Sequence, residues 1–245
     1  MKELNMENKN LLGIIGGLGP MSSAYFYELI TTHTLAQKDQ EHIDIILSSR
    51  ASTPDRTDYI LGLSDKNPLD YMIADAKALE KYGATAIVIP CNTAHYFIKQ
   101  VRASVNVPVP SIITETALQI KKCNFKKPAI LATEGTIKSK SYQNEFDSLG
   151  LDYMVPDAET QSELMHIIYG QVKKGYIPSP SSLYKVTEGM FRQGCDCAIL
   201  GCTELSLIGK NIENNTVFID SLTVLAKVSI EIMGHQTTNL PTYLI

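Results

Sequence analysis

The stretch Ile87–Phe97, IVIPCNTAHYF, decides the fold. Ile87 to Ile89 form an apolar, β-branched run of strand type, and Pro90 ends it. Cys91 then stands where a strand hands over to a helix, followed by Asn92 and Thr93, short polar residues that cap a first helical turn. About a hundred residues later, Cys197–Ile208, CAILGCTELSLI, repeats the arrangement, with Cys202 in the place of Cys91. One reading has to account for both.

Outward from these turns, strand-like runs alternate with amphipathic segments of helical length. LLGIIGG is followed by SSAYFYELITTHTLAQ, IDIILSS by PLDYMIADAKALEKYG, and ATAIVIPC by a helix expected from Asn92 to about Ala103. This is the rhythm of βαβ units on a parallel sheet covered by helices, hence the α/β class. In the segment before Gly83, Met72, Ile73, Ala76 and Leu79 keep helical spacing, and Gly83 stops the helix.

The series restarts after VPVPS, where Pro108 and Pro110 exclude a helix. PAILATEGTI then resembles LLGIIGGLGP, with Ile130 over Ile14 at an offset of 116, and Cys202 lies over Cys91 at an offset of 111. A duplicated α/β unit is the simplest account. It makes the cysteine turns equivalent strand ends facing a shared cleft, since open α/β sheets bind ligands beyond the carboxyl ends of their strands. The expected domains are 10–109 plus 216–245, and 110–215, with 1–9 a flexible segment. TVFIDSLTVLAKVSIEIM reads as one more strand and helix crossing back onto the first half.

The composition narrows the function. With 245 residues, 44% hydrophobic content, a net charge of -4 and no run of five like charges, a nucleic-acid or membrane-surface partner is disfavoured and a small solute favoured. The polar N-terminus carries no apolar signal core, and five scattered cysteines do not read as a disulfide framework, so a cytoplasmic, thiol-reduced protein is expected. His33, His42, His166 and His235 show no metal spacing. Cys195 and Cys197 alternate on a strand and read as core, and Cys123 as structural or exposed. Gly16, Gly17 and Gly19, followed by Pro20, lack a full dinucleotide fingerprint.

A thiol at a helix start is shifted toward thiolate by the helix dipole and the unpaired N–H groups. Two such groups on opposite faces of one carbon suit stereoinversion, one removing a proton while the other delivers one. An amino-acid α-proton is weakly acidic, so donors and cations must hold the developing charge in a site shielded from water. His95 either orients a group near Cys91 or packs locally; Glu204 either assists Cys202 or balances the helix dipole.

Taken together, GIIGGLGP, DQEH (Asp39–His42), TPDRTDYIL (Thr53–Leu61), PCNTAH, LATEGTI, the lysine of IIYGQVKKG, and GCTE closely resemble the aspartate/glutamate racemase family over nearly the whole chain. The resemblance implies two similar, doubly wound parallel-sheet domains related by a pseudo-twofold axis, with the active site in the interdomain cleft. It implies no pyridoxal phosphate, metal or other cofactor, and commonly a homodimer. Cys91 and Cys202 fall on the catalytic bases, Cys91 facing the proton of the L-enantiomer and Cys202 that of the D-enantiomer. Asp55 and Arg56 fall on an Asp-Arg pair whose arginine holds a substrate carboxylate, and Lys173 falls on the functional lysine. Asn92, Thr93, Thr133 and Thr203 fall on substrate-lining positions, with Gly17 in the loop. A guanidinium and an ammonium also suit a dicarboxylic amino acid, and both are expected in a solvated cleft. Glycines where glutamate racemases carry an aspartate-serine pair favour the aspartate branch. Arg50 replaces a small neutral amide of relatives. It either grips a side-chain carboxylate, shifts the choice between aspartate and glutamate, or is solvated, the last being favoured. The rival activities are a maleate-isomerase-like reaction with one nucleophilic cysteine, and non-catalytic sensing of acidic amino acids.

Overall fold

The structure, a computed structural model, describes residues 10–212 and 217–241. The expected flexible segment 1–9 lies outside the described residues. The first half runs β1 (Leu11–Gly16), α1 (Pro20–His33), β2 (Asp44–Ser49), α2 (Arg56–Leu61), α3 (Leu69–Tyr82), β3 (Ala86–Val88), α4 (Ile98–Ala103) and α5 (Ile112–Lys122). The second runs β4 (Pro128–Leu131), α6 (Glu134–Lys138), α7 (Ser141–Leu149), α8 (Ala158–Met165), α9 (Ser181–Arg192), β5 (Cys197–Leu200), α10 (Thr203–Gly209), β6 (Phe218–Asp220) and α11 (Ser221–Ile232).

Two parallel three-stranded sheets result, ordered β2-β1-β3 and β4-β5-β6. Their registers carry the repeat. Ile14 pairs with Val88 and Ile130 with Ile199, so each cysteine lies three residues beyond the partner of an equivalent isoleucine. The edges correspond: Ile87 N–H donates to Pro108 O beside β3, where Ala198 N–H donates to Val217 O at the start of the β5–β6 ladder. At the other edge Met154 bridges Ala129, in the place β2 takes beside β1.

The final strand adds to the second sheet, pairing with β5, and does not return to the first as its position in the chain suggested. Ala198–Leu200 offer it a free edge, whereas β3 is already met by Pro108. Only the helix crosses. α11 packs on α1 of the first half, and its counterpart α5 packs on α7 of the second, while α5 and α11 pack on each other. Their apolar faces, including Ile112, Ile120, Leu222, Leu225 and Ile230, join Ile14, Val88, Ile130 and Ile199 in one cluster that spans both sheets. Each such fully buried side chain contributes roughly 1.5–3 kcal/mol, so the exchanged helices fix how the strand ends face each other.

Candidate active site

Cys91 and Cys202 are both buried, and both line one narrow inner pocket. Asp55, Arg56, Asn92, Thr93, Thr133, Lys173, Thr203 and Glu204 line it too, with Leu18, Thr57 and Tyr169. A wider outer cavity shares Leu18, Asp55, Arg56, Lys173 and Glu204 with it and adds Gly17, Gly19 and Ser22. Of the expected site residues only Gly17 is confined to the outer cavity, and only His95 touches neither. Among the described residues no group of three or more His, Cys, Asp or Glu is arranged to hold a metal ion.

The two thiols sit in different surroundings. An α-helix was expected at Asn92, but the first turn, Thr93–Phe97, is a tighter 3-10 helix. His95 is the cause: its ring Nδ1 bonds the Cys91 carbonyl at 2.8 Å, so its own N–H turns to Asn92 O at 3.0 Å. Nε2 accepts from Ile112 N–H at 3.1 Å, which fixes the neutral tautomer protonated at Nδ1. His95 thus clamps the Cys91 backbone to the start of α5. Burial pulls its pKa down to about 4, with the Arg102 charge adding to the shift.

That shift makes a prediction about folding. The folded pKa lies below the unfolded value near 6.5, so the neutral ring contributes its full stability above about pH 6.5 and loses it as pH falls toward 4. Urea unfolding is expected to show a loss on the order of 2 kcal/mol between pH 7 and pH 5 from this group. His95→Gln should flatten that part of the profile; an unchanged profile would show the imidazole is not the group responsible.

Cys202 stands at the N-cap position of α10 without a capping bond, and its Sγ donates to Glu204 Oε2 at 3.0 Å. Burial, then the Glu204 charge, push its pKa well above the ordinary thiol value. The helix start alone had pointed to a thiolate. Desolvation and a neighbouring carboxylate outweigh a seven-residue helix, so this thiol is held protonated.

The polar lining is tied across the two halves. The hydroxyls of Thr93, Thr133 and Thr136 meet at 2.9, 2.9 and 3.1 Å. The Asn92 amide is occupied as well: it donates to Ser221 Oγ at 3.0 Å and accepts from Tyr142 Oη at 2.7 Å. Its role here is to moor the Cys91 turn to α7 and α11.

Arg56 departs from the expected solvated cleft, being only 6% exposed. Its Nη2 donates to Leu18 O at 2.6 Å and its Nη1 to Pro54 O at 3.0 Å, while Nε is buried without a partner. Backbone carbonyls take the Nη1 donors and one Nη2 donor, which leaves Nε–H and the second Nη2 N–H for a carboxylate. Burial works against its charge, but Cys91, Asp55, Tyr169 and Glu204 outweigh this and raise its pKa.

Asp55 caps α2, accepting from Thr57 N–H and Asp58 N–H. From the second half, Tyr169 Oη reaches both its oxygens at 3.2 Å and Lys173 Nζ lies at 3.4 Å. Burial opposes ionisation of Asp55, yet the Lys173 and Arg56 cations hold its carboxyl below the usual range. Lys173 also stacks over the Tyr169 ring at 4.2 Å. Tyr169 was missed in the sequence, although its spacing of four from Lys173 was a usable signal; a π-helical turn, His166–Gln171, presents it. Arg50 turns away from the site, holding buried Asp75 through Nε at 2.9 Å and Nη2 at 2.6 Å.

The chain is similar to known proteins over nearly its whole length. Residues 15–228 match the Asp/Glu/Hydantoin racemase family. The broad-specificity amino-acid racemase RacX of Bacillus subtilis is 28% identical over 225 residues, 90% of this chain and 96% of its own. The Picrophilus torridus aspartate racemase superposes at a TM-score of 0.82 with 29% identity, covering 94% of this chain and 96% of that one. An aspartate racemase homologue from Pyrococcus horikoshii superposes at 0.73 with 27% identity, covering 92% and 99%. With the match running from β1 into α11, the chain belongs to the Asp/Glu/hydantoin racemase family and is an isomerase of the racemase type.

Proposed function

We propose that the protein interconverts L- and D-aspartate without a cofactor, with glutamate as the next substrate, by proton transfer between Cys91 and Cys202. The observation that carries this is the pair of cysteines at equivalent strand ends in one buried pocket beside Arg56 and Lys173. In the L-to-D direction the Cys91 thiolate removes the α-proton and the Cys202 thiol returns one to the opposite face. The proton on Cys202, held toward Glu204, suits that donor role.

The cations then have separate tasks. Arg56 contributes its charge and the unpartnered Nε–H, while Lys173 exchanges Asp55 for a substrate carboxylate. The hydroxyls of Thr93, Thr133 and Thr203 stand near the cysteines and are suited to hold developing enediolate charge. A cytoplasmic homodimer belongs to the same reading, the location resting on the polar N-terminus and scattered cysteines and the dimer on family resemblance. Aspartate is favoured because the Picrophilus torridus relative is an aspartate racemase and the Pyrococcus horikoshii one an aspartate racemase homologue; RacX, a broad-specificity amino-acid racemase, sets the wider panel to test.

The deciding experiment incubates purified protein in D2O with L-aspartate, L-glutamate or other L-amino acids, without pyridoxal phosphate. Deuterated D-aspartate appearing fastest supports the reading; α-exchange with none of the panel sinks it.

Two substitutions separate the cations. Lys173→Ala is expected to raise KM for aspartate by about tenfold or more while changing stability by less than about 1 kcal/mol, since the ion pair it removes is part-exposed. Arg56→Ala should lose activity and also about 2–3 kcal/mol of stability, because it orphans buried carbonyls. Steady-state kinetics beside urea unfolding distinguish the two.

A further inference from the structure

The two cysteine turns are joined by two buried side chains, neither of which lines the inner pocket. Asn92 is the residue after Cys91, and Gly201 and Leu200 are the residues one and two before Cys202. Tyr142 of α7, fully buried, donates its hydroxyl to Asn92 Oδ1 at 2.7 Å. Its ring lies against Gly201, where a Cβ would stand 3.2 Å from Tyr142 Cε2 and 3.0 Å from Leu131 O. Ser221, the first residue of α11, accepts from Asn92 Nδ2 at 3.0 Å and donates to Leu200 O at 2.7 Å. One strut therefore runs from Asn92 to Gly201, and the other from Asn92 to Leu200.

The direction of each bond follows from its partners. The Leu200 carbonyl can only accept, so the Ser221 proton goes there and the Ser221 oxygen accepts from the Asn92 nitrogen; the amide oxygen is left to the phenol. Burial pushes the Tyr142 pKa up, so the phenol keeps the proton it donates. Asp220 sets Ser221 in place, capping α11 through Leu222 N–H and binding the hydroxyls of Ser206 and Thr223. Removing one member leaves a buried polar atom unpaired, at about 1–3 kcal/mol, which keeps the chain in one arrangement.

We propose that Tyr142 and Ser221 are positioning residues for the proton transfer: they hold the two cysteine turns at one separation, so that Cys91 and Cys202 reach opposite faces of a single carbon. This rests on the two-cysteine reading above. The carbanion left when the Cys91 thiolate takes the α-proton must meet the Cys202 thiol before Cys91 returns what it took. A misplacement of about 1 Å in such an arrangement costs about 10²-fold in rate.

The test follows L-aspartate in D2O with wild type, Tyr142→Phe and Ser221→Ala, reading deuterium in both enantiomers at early conversion. In wild type the label should collect in D-aspartate. In either variant the carbanion should wait longer for Cys202; meanwhile the Cys91 thiol exchanges its proton for deuterium from D2O and returns it to the same face, giving labelled L-aspartate. The ratio of labelled L- to labelled D-aspartate should rise about tenfold or more, and kcat/KM for racemisation should fall about 10- to 10²-fold. Loss of folded protein lowers both products alike and leaves the ratio unmoved. Ser229→Ala removes another buried hydroxyl of α11, bonded to Leu225 O at 2.7 Å, and should keep the wild-type ratio.

A substrate-free readout accompanies the kinetics. Backbone amide exchange, followed by mass spectrometry, should quicken in each variant in peptides covering both 87–97 and 197–205. Either variant decides the matter if the other does not fold. An unchanged label ratio in a folded variant, or loosening confined to one turn, would overturn the proposal. If wild type racemises nothing, the functional reading fails, and amide exchange at the two turns still decides whether these side chains tie them together.

Discussion

Cys91→Ala and Cys202→Ala are each expected to abolish net racemisation of aspartate, a loss of at least about 10²–10⁴-fold for removing one acid/base partner. The informative result is what survives. On the proposed assignment Cys202→Ala keeps the base that faces the L-enantiomer, so it should still exchange the α-proton of L-aspartate in D2O and leave D-aspartate untouched. Cys91→Ala should do the reverse. Each change removes a single buried sulfur, so folding should weaken only on the order of 1 kcal/mol, and circular dichroism can verify that the loss is chemical. Racemisation by the double variant at the wild-type rate would eliminate the two-cysteine mechanism, and a trapped covalent adduct on one cysteine would point to the isomerase-like rival.

The strand ends were legible because they are local. β-branched runs, a breaking proline and the offsets of 116 and 111 are periodicities of the chain itself, and the paired registers follow them. What was not legible is set by docking of one half on the other. Nothing local announces that Asn92 is filled by Tyr142 and Ser221, 50 and 129 residues away, or that Arg56 reaches Leu18 O. The exchange of α5 and α11 is of the same kind, since an amphipathic helix states that it has an apolar face but not which sheet receives it. Arg50 is an intermediate case. Asp75 stands on the face of α3 that buries Met72, Ala76 and Leu79, and a carboxylate there needs a cation, so the pairing was readable from α3 though not from Arg50.

Two glycines of the first loop test how the site is assembled, and their alanine variants should fail in opposite ways. Gly17 has φ +79, and because β1 runs in register with β2 through Gly16 and Ser49, it lies against the backbone of Arg50. A Cβ there would stand 2.5 Å from Arg50 N and C, atoms that no rotamer change can move. Gly17→Ala should therefore lose about 3 kcal/mol or more, combining left-handed strain with a backbone clash, and lower the urea midpoint accordingly. Gly19 is extended, with φ -154, a conformation open to any residue. Its Cβ would clash with Glu204 Oε1, at 2.6 Å, the far end of a side chain that can swing aside, while Ser22 Oγ at 3.4 Å is an ordinary contact. Gly19→Ala should keep stability within about 1 kcal/mol yet move the carboxylate off Cys202, lowering kcat/KM by about tenfold to a hundredfold. If Gly19→Ala instead costs stability with turnover intact, Glu204 is a packing group fixed in place. The opposite pattern means that the glycine is there to seat a carboxylate beside one thiol and not the other.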